Sequence, residues 1–177
     1  RLRADGTAEI ALDEAAIPAL LDRIAALGAD CVAVSLLHAY ANPAHERRLA
    51  ELLRAARPDL PVSLSSDISP EIREYERTST TVLNALLMPV VKAYLDRLEA
   101  RLGEGDFRPL VFLVQSNGGV CSLRMAAEQP ARLLLSGPSG GTLAAGRLSA
   151  LLARPNLVAV DMGGTSYDVS VVQGGRV

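Results

Sequence analysis

Short apolar runs and helical periods alternate along this chain, and that alternation constrains the fold more than any other feature. Residues 31–37 form a nearly continuous apolar run with β-branched Val32 and Val34, the pattern of a strand buried on both faces of a parallel sheet. Before it, Ile17, Leu20, Leu21, Ile24 and Leu27 mark one face of a helix over residues 14–27, with Asp13 as its N-cap and Gly28 as its stop. After it, Asn42 and Pro43 open a second helix that runs to about Ala56, with Leu49, Leu52 and Leu53 as its inward stripe. Pro58 and Pro61 break that helix, and residues 62–65 supply the next strand.

A sustained helical period then fills residues 70–102, from Ile72 through Val82, Leu86, Val90 and Leu95 to Leu102. Pro89 removes the bond its N–H would make to Ala85, so two stacked helices or one kinked helix are expected there. A strand at 110–114, a short helix from a Ser122 cap to Glu128, a helix of small residues at 138–153 and a strand at 157–160 complete the series. Strand and helix units with short links predict an α/β architecture with a mostly parallel sheet flanked by helices.

Composition narrows the function classes. The 177 residues suit one domain, or one and the start of another; 49% are hydrophobic and 21% charged, enough for a packed core. Lys plus Arg total 18 against 20 Asp plus Glu, a net charge of -2, so no basic field recruits nucleic acid or anionic lipid. Aromatic residues make up only 3%, too few for base-stacking platforms. No apolar run approaches the ~20 residues that span a bilayer, and Cys31 and Cys121 read as inert reduced thiols, so no membrane partner and a cytoplasmic setting are expected. The chain opens on Arg1 without Met and closes just past a Gly174-Gly175 turn, which reads as a piece excised from a longer polypeptide.

The chemistry concentrates in residues 157–172. An apolar strand ends at Asp161, the turn Gly163-Gly164-Thr165-Ser166 follows, and an alternating strand returns past Asp168, the pattern of a glycine-tipped hairpin. Glycines without a Cβ let successive backbone N–H groups face one anion, and the Thr165 and Ser166 hydroxyls add donors. Asp161 can hold Mg²⁺, directly or through water, or orient an attacking water. The alternative is a plain hairpin whose glycines only supply positive φ. Upstream, Ser136-Gly137-Pro138-Ser139-Gly140-Gly141 opens a helix of small residues, which suits close backbone packing, an anion at the helix N-terminus, or both.

A small-residue helix, an apolar strand, Asp-x-Gly-Gly-Thr and a returning strand together resemble the interdomain helix and second phosphate loop of the actin-like ATPase superfamily, which includes sugar kinases and chaperone ATPases. More narrowly, the chain resembles the hydantoinase A/5-oxoprolinase family. That resemblance rests on five ordered blocks: residues 35–43 with His45-Glu46, residues 74–85, Gln115-Ser116-Asn117-Gly118-Gly119, residues 135–141, and Asp161 to Ser166.

The resemblance implies a ribonuclease H-like/actin-like ATPase fold, present as an incomplete fragment, with residues 1–155 as the later part of a first lobe and 156–177 as the start of a second. It implies ATP and Mg²⁺ as cofactors, a cyclic amide of the hydantoin or 5-oxoproline type as substrate, and a second hydantoinase B-like subunit or domain as partner. The family's first phosphate loop is absent from these residues, so the isolated segment is expected to be inactive. A subunit of an ATP-dependent ketone carboxylase, a nucleotide-binding module that does not hydrolyse, and a sugar kinase are the alternatives. The implied phosphate contacts are Gly163, Gly164, Thr165 and Ser166, with Asp161 catalytic and Asp168, Gly137, Ser139 and Gly140 in support. Tyr167 stands where the family usually has Thr, and Gly137 where the chaperone ATPases have Glu, so any metal sphere is completed elsewhere.

Three further groups are candidates. His38, His45 and Glu46 lack helical metal-ligand spacing and read as structural histidines or substrate contacts. Glu71, Arg73, Glu74, Glu76 and Arg77 read either as a solvated helix start with i,i+3 charge pairs, or as a substrate-facing patch in which Arg77 grips a carboxylate. Asn117, after the strand at 110–114, is a substrate contact or a turn residue.

Overall fold

The computed structural model describes residues 1–104 and 109–177. They fall into two compact units, one of Arg1–Phe107 with Ala127–Ala131 and one of Arg108–Ala126 with Arg132–Val177.

In the first unit the Asp13 carboxylate accepts the Ala15 N–H at 3.1 Å and starts a single 3₁₀ turn, Glu14–Ala16, that leads into α1 (Ile17–Ala26). Gly28, at φ +61°, turns the chain out of that helix and returns its N–H to Ala25 O at 3.0 Å. Strand β1 (Val32–Val34), helix α2 (Ala44–Ala56) and strand β2 (Val62–Leu64) then make a β-α-β unit, the strands parallel with Val32 opposite Val62 and Val34 opposite Leu64. Its core joins Ile24, Val34, Ala50, Leu53, Leu60, Val62 and Leu64, and Leu53 is wholly buried. After the one-turn α3 (Ser65–Ile68), the long helix α4 (Glu74–Leu102) packs on both strands.

Helix α4 runs through Pro89 as one element of 29 residues. The ~3 kcal/mol that an internal proline costs is spread over a helix already held against β1, β2 and α3, so no second helix begins there. Its buried face is not the apolar one throughout: Leu95 is covered as the period implies, but so are three polar residues. Arg77, Thr81, Asn84 and Ala85 are buried, whereas Leu86 is 62% and Val90 69% exposed.

In the second unit β3 (Phe112–Val114) and β4 (Val120–Ser122) form a hairpin, and Ser122 Oγ accepts Met125 N–H at the start of α5 (Leu123–Glu128). Helix α6 (Ser136–Leu151) packs against β3 and against a second hairpin, β5 (Leu157–Met162) and β6 (Tyr167–Val172). The chain is therefore α/β, but the expectation of a mostly parallel sheet is corrected. Among the described residues there are three two-stranded sheets, and only β1–β2, the pair joined through a helix, is parallel. The links after β3 and β5 are tight turns, which can join only antiparallel neighbours. Among the described residues no helix is long and apolar enough to cross a membrane.

Candidate functional site

The β5–β6 ladder runs unbroken from Leu157 opposite Val172 to Met162 opposite Tyr167, which leaves residues 163–166 as a free tip. The Gly163 N–H closes that tip on Ser166 O at 3.1 Å, while among the described residues the N–H groups of Gly164, Thr165 and Ser166 meet no acceptor. All of residues 161–167 are exposed. Neither Gly163 nor Gly164 has positive φ, and a Cβ built on either meets nothing within 4 Å. Backbone conformation and packing therefore give no reason for glycine at either position. What the missing side chains provide is open space over unpaired amides.

Two carboxylates border the tip. Asp161 and Asp168 are direct cross-strand partners, so like charges face one another where a sheet prefers opposite ones. The Ser166 hydroxyl donates to Asp168 Oδ2 at 3.1 Å, and Asp161 is left without a protein partner. A cation between them would remove the repulsion. Among the described residues no group of three or more His, Cys, Asp or Glu forms an all-protein metal cage.

Helix α6 lies against this hairpin, and Thr142 Oγ1 meets Ser170 Oγ at 2.6 Å. The helix starts from Leu135 in the left-handed region, φ +59°. Ser139 spends its hydroxyl on Leu135 O at 3.0 Å, within its own first turn. Gly137 and Gly140 border an apolar cavity of about 340 Å³ with Val114 and Leu133. The small-residue face is in close contact at Gly146, where an added Cβ would sit 3.1 Å from Val177 Cγ1, but Gly137 and Gly141 face open space.

The other candidates lie elsewhere. Asn117 is exposed and its Oδ1 accepts the Gly119 N–H at 2.9 Å, an Asx turn that carries the chain from β3 to β4. Arg73 and Glu76 form the expected surface pair at 3.7 Å, but Arg77 is no part of that solvated cluster. It is 1% exposed and donates to two backbone carbonyls, Glu71 O at 2.6 Å and Leu36 O at 3.1 Å. A guanidinium in register with Thr81 and Ala85, which face β1 and β2, is carried inward with them. Glu46 is likewise buried, in register with Ala50 and Leu53 on α2, rather than beside a metal. For Glu46 the spacing i, i+4, i+7 to Ala50 and Leu53 was an available signal; for Arg77 the same spacing falls on polar Thr81 and Asn84 and gave none. His38 lies at φ +59° and borders a cavity of about 400 Å³; His45 borders another of about 330 Å³. Cys121 is buried, and partial burial pushes the Cys31 thiol up, away from the reactive thiolate.

The hydantoinase/oxoprolinase family model matches residues 77–177, and the model for that family's N-terminal region matches residues 1–56. Caprolactamase subunit alpha of Pseudomonas jessenii is 38% identical over 99% of this chain and 25% of its own length. The 5-oxoprolinase of Saccharomyces cerevisiae is 35% identical over 93% of this chain and 13% of its own, and the acetone carboxylase beta subunit of Xanthobacter autotrophicus is 33% identical over 97% and 24%. Among solved structures, ATP-dependent caprolactamase from Pseudomonas jessenii superposes with TM-score 0.86 at 37% identity, covering 97% of this chain and 25% of that one. Nucleotide-free acetone carboxylase gives TM-score 0.82 at 30% identity, covering 99% and 25%. The chain thus spans a quarter or less of these relatives, and it belongs to the hydantoinase/oxoprolinase family.

Proposed function

We propose that this chain is part of an ATP-dependent amidohydrolase that opens cyclic amides, with the β5–β6 tip as a grip on the nucleotide's phosphates. The observation that carries the reading is the pair Gly163 and Gly164. Neither backbone strain nor packing calls for glycine there, yet the pair leaves the amides of Gly164, Thr165 and Ser166 open beside Asp161. Similarity to an ATP-dependent caprolactamase and to 5-oxoprolinase supports the substrate class.

The chemistry follows from the weakness of amides as electrophiles. Transfer of the γ-phosphoryl group to the amide oxygen gives ADP and an O-phosphorylated ring. Water adds at its carbon, the ring C–N bond breaks to leave an acyl phosphate and a free amine, and a second water releases phosphate and the acid. The main-chain amides and the Thr165 and Ser166 hydroxyls bind and orient the phosphates, because such transfers depend on position and charge stabilisation. Asp161 would hold Mg²⁺ or its water, and Asp168, which accepts from the Ser166 hydroxyl, would complete its electrostatic setting. When bound, Mg²⁺ neutralises charge that develops between the phosphates. Gly137, in the first turn of α6, offers a helix start for further phosphate contact beside Gly140, whereas Ser139 returns both its N–H and its hydroxyl to Leu135 O. Arg77, buried and bonded to backbone carbonyls, is removed from direct contact with substrate, whereas the exposed Asn117 side chain stays a candidate substrate contact. In this reading residues 1–155 belong to a first actin-like lobe and 156–177 begin a second, in a cytoplasmic enzyme with a second, hydantoinase B-like subunit.

A subunit of an ATP-dependent ketone carboxylase is the second reading, favoured by the similarity to acetone carboxylase across almost the whole chain. The intact protein, with its partner subunit, separates the two. ADP release stimulated by 5-oxoproline, hydantoin or caprolactam, without bicarbonate, is the expected result. Release that requires a ketone and bicarbonate supports the carboxylase, and nucleotide binding without any turnover supports a non-hydrolysing module.

A further inference from the structure

Two buried charged side chains in the first unit, Glu46 and Arg77, form no ion pair among the described residues. Glu46, on α2, accepts the Leu36 N–H at 2.8 Å, the Ser65 hydroxyl at 2.7 Å and the Ser66 N–H at 2.9 Å. Arg77, near the start of α4, donates to Glu71 O and Leu36 O and leaves Nε without an acceptor. Its guanidinium carbon sits 5.5 Å from the centre of the Tyr40 ring. Burial of an unpaired charge is among the costliest arrangements in a fold, so two of them converging on one residue call for a reason.

That residue is Leu36, whose N–H is held by the anion and whose C=O is held by the cation. The next turn hangs from it. Ala39 N–H also points to Leu36 O, at 3.3 Å, and His38, in the left-handed region at φ +59°, accepts Ala41 N–H at 3.0 Å and Asn42 N–H at 3.2 Å. The His38 and Tyr40 rings meet edge to face with centres 6.0 Å apart, and His38 Nδ1 lies 3.5 Å from Tyr40 Oη. A Tyr40 hydroxyl that donates to Nδ1 leaves Nε2 as the ring's N–H donor. Leu37 and His38 border the cavity of about 400 Å³, a size that suits a small molecule, and Arg1, Arg3 and Glu9 add charged groups to its wall. A non-glycine residue held at positive φ by surroundings that over-determine it is a common feature of ligand clamps.

We infer that Glu46 and Arg77 are positioning residues for His38, whose imidazole, backed by Tyr40, donates a hydrogen bond to the carbonyl oxygen of a small amide in that cavity. The inference rests on the amidohydrolase reading and adds to it a substrate-facing loop in the first unit, apart from the phosphate grip.

The test uses the intact protein and its lactam-dependent ADP release. His38→Gly keeps the backbone conformation and removes only the ring. It should lower kcat/KM for the amide at least about tenfold, mainly through KM, with nucleotide affinity and thermal midpoint preserved. Glu46→Gln puts an N–H against the Ser66 N–H, and Arg77→Lys cannot span both carbonyls. Each should raise the amide KM about tenfold alone, yet less than about twofold when His38 is already glycine. Wild-type kcat/KM in His38→Gly overturns the ligand role, and full additivity overturns the positioning role. A wild-type protein without amide-dependent turnover defeats the amidohydrolase reading instead. The clamp is then judged by the ring resonances of labelled His38, which Glu46→Gln or, if that variant does not fold, Arg77→Lys must shift; unchanged resonances overturn it.

Discussion

The surroundings of Leu36 and the tip of β5–β6 are both rich in polar groups, and they use them in opposite ways. Around Leu36 the groups are buried and spent on the chain, with a carboxylate taking three donors and a guanidinium two carbonyls. At the tip they are exposed, and three successive amides and a carboxylate are spent on nothing. Polar groups that hold a backbone are recognised by their filled set of partners. Those that hold a ligand are recognised by open valences beside residues the backbone does not need.

The sharpest way to break this contrast is at Glu46. Glu46→Ala leaves the buried Ser65 hydroxyl and the half-buried Leu36 and Ser66 N–H groups without their acceptor and should cost about 3 kcal/mol or more in denaturant unfolding. A loss below about 1 kcal/mol would show that the carboxylate does not hold the loop. Asp161→Asn should do the reverse, with stability within about 0.5 kcal/mol of wild type and turnover reduced by roughly 10²-fold. Two glycines refine the point. Gly118→Ala should cost about 1–2 kcal/mol, since Gly118 lies at φ +84° and a Cβ would come within 2.5 Å of Leu143 Cδ1. Gly164→Ala should leave stability unchanged or slightly raised and weaken nucleotide binding about tenfold, read by calorimetric titration. The smallest effect concerns Glu14, whose carboxyl the bidentate hydrogen bonds from Arg48 hold below its usual range. Because the folded value is depressed, that contribution is complete above the ordinary carboxylate range and fades as pH falls through the folded value. Arg48→Gln should flatten that slope of thermal midpoint against pH, most visibly at low salt.

Much of the fold was legible because local rules and tertiary packing agree there. Asp13 caps, Gly28 stops, and the β-branched runs at Val32 and Val62 pair as parallel strands over α2. Reading failed where the packing set a local preference aside. Pro89 is tolerated inside α4, and that helix turns Arg77, Thr81 and Asn84 inward while Leu86 and Val90 face out. A period of apolar residues locates a helix but does not say which face is covered when polar side chains also find partners. Asn84 illustrates this: its amide donates to Ser63 Oγ and Glu128 O and accepts from Ala131 N–H. The turn at 163–166 was visible in the sequence. That its glycines avoid positive φ was not, since the same letters also spell the turn that requires it.

Hydrogen exchange of the peptide that spans residues 161–168, measured in the intact protein with and without saturating ATP and Mg²⁺, tests the phosphate grip most directly. The account predicts that the amides of Gly164, Thr165 and Ser166 exchange fast in the free protein and are protected by nucleotide. Nucleotide bound at saturation with exchange at those amides unchanged would contradict it.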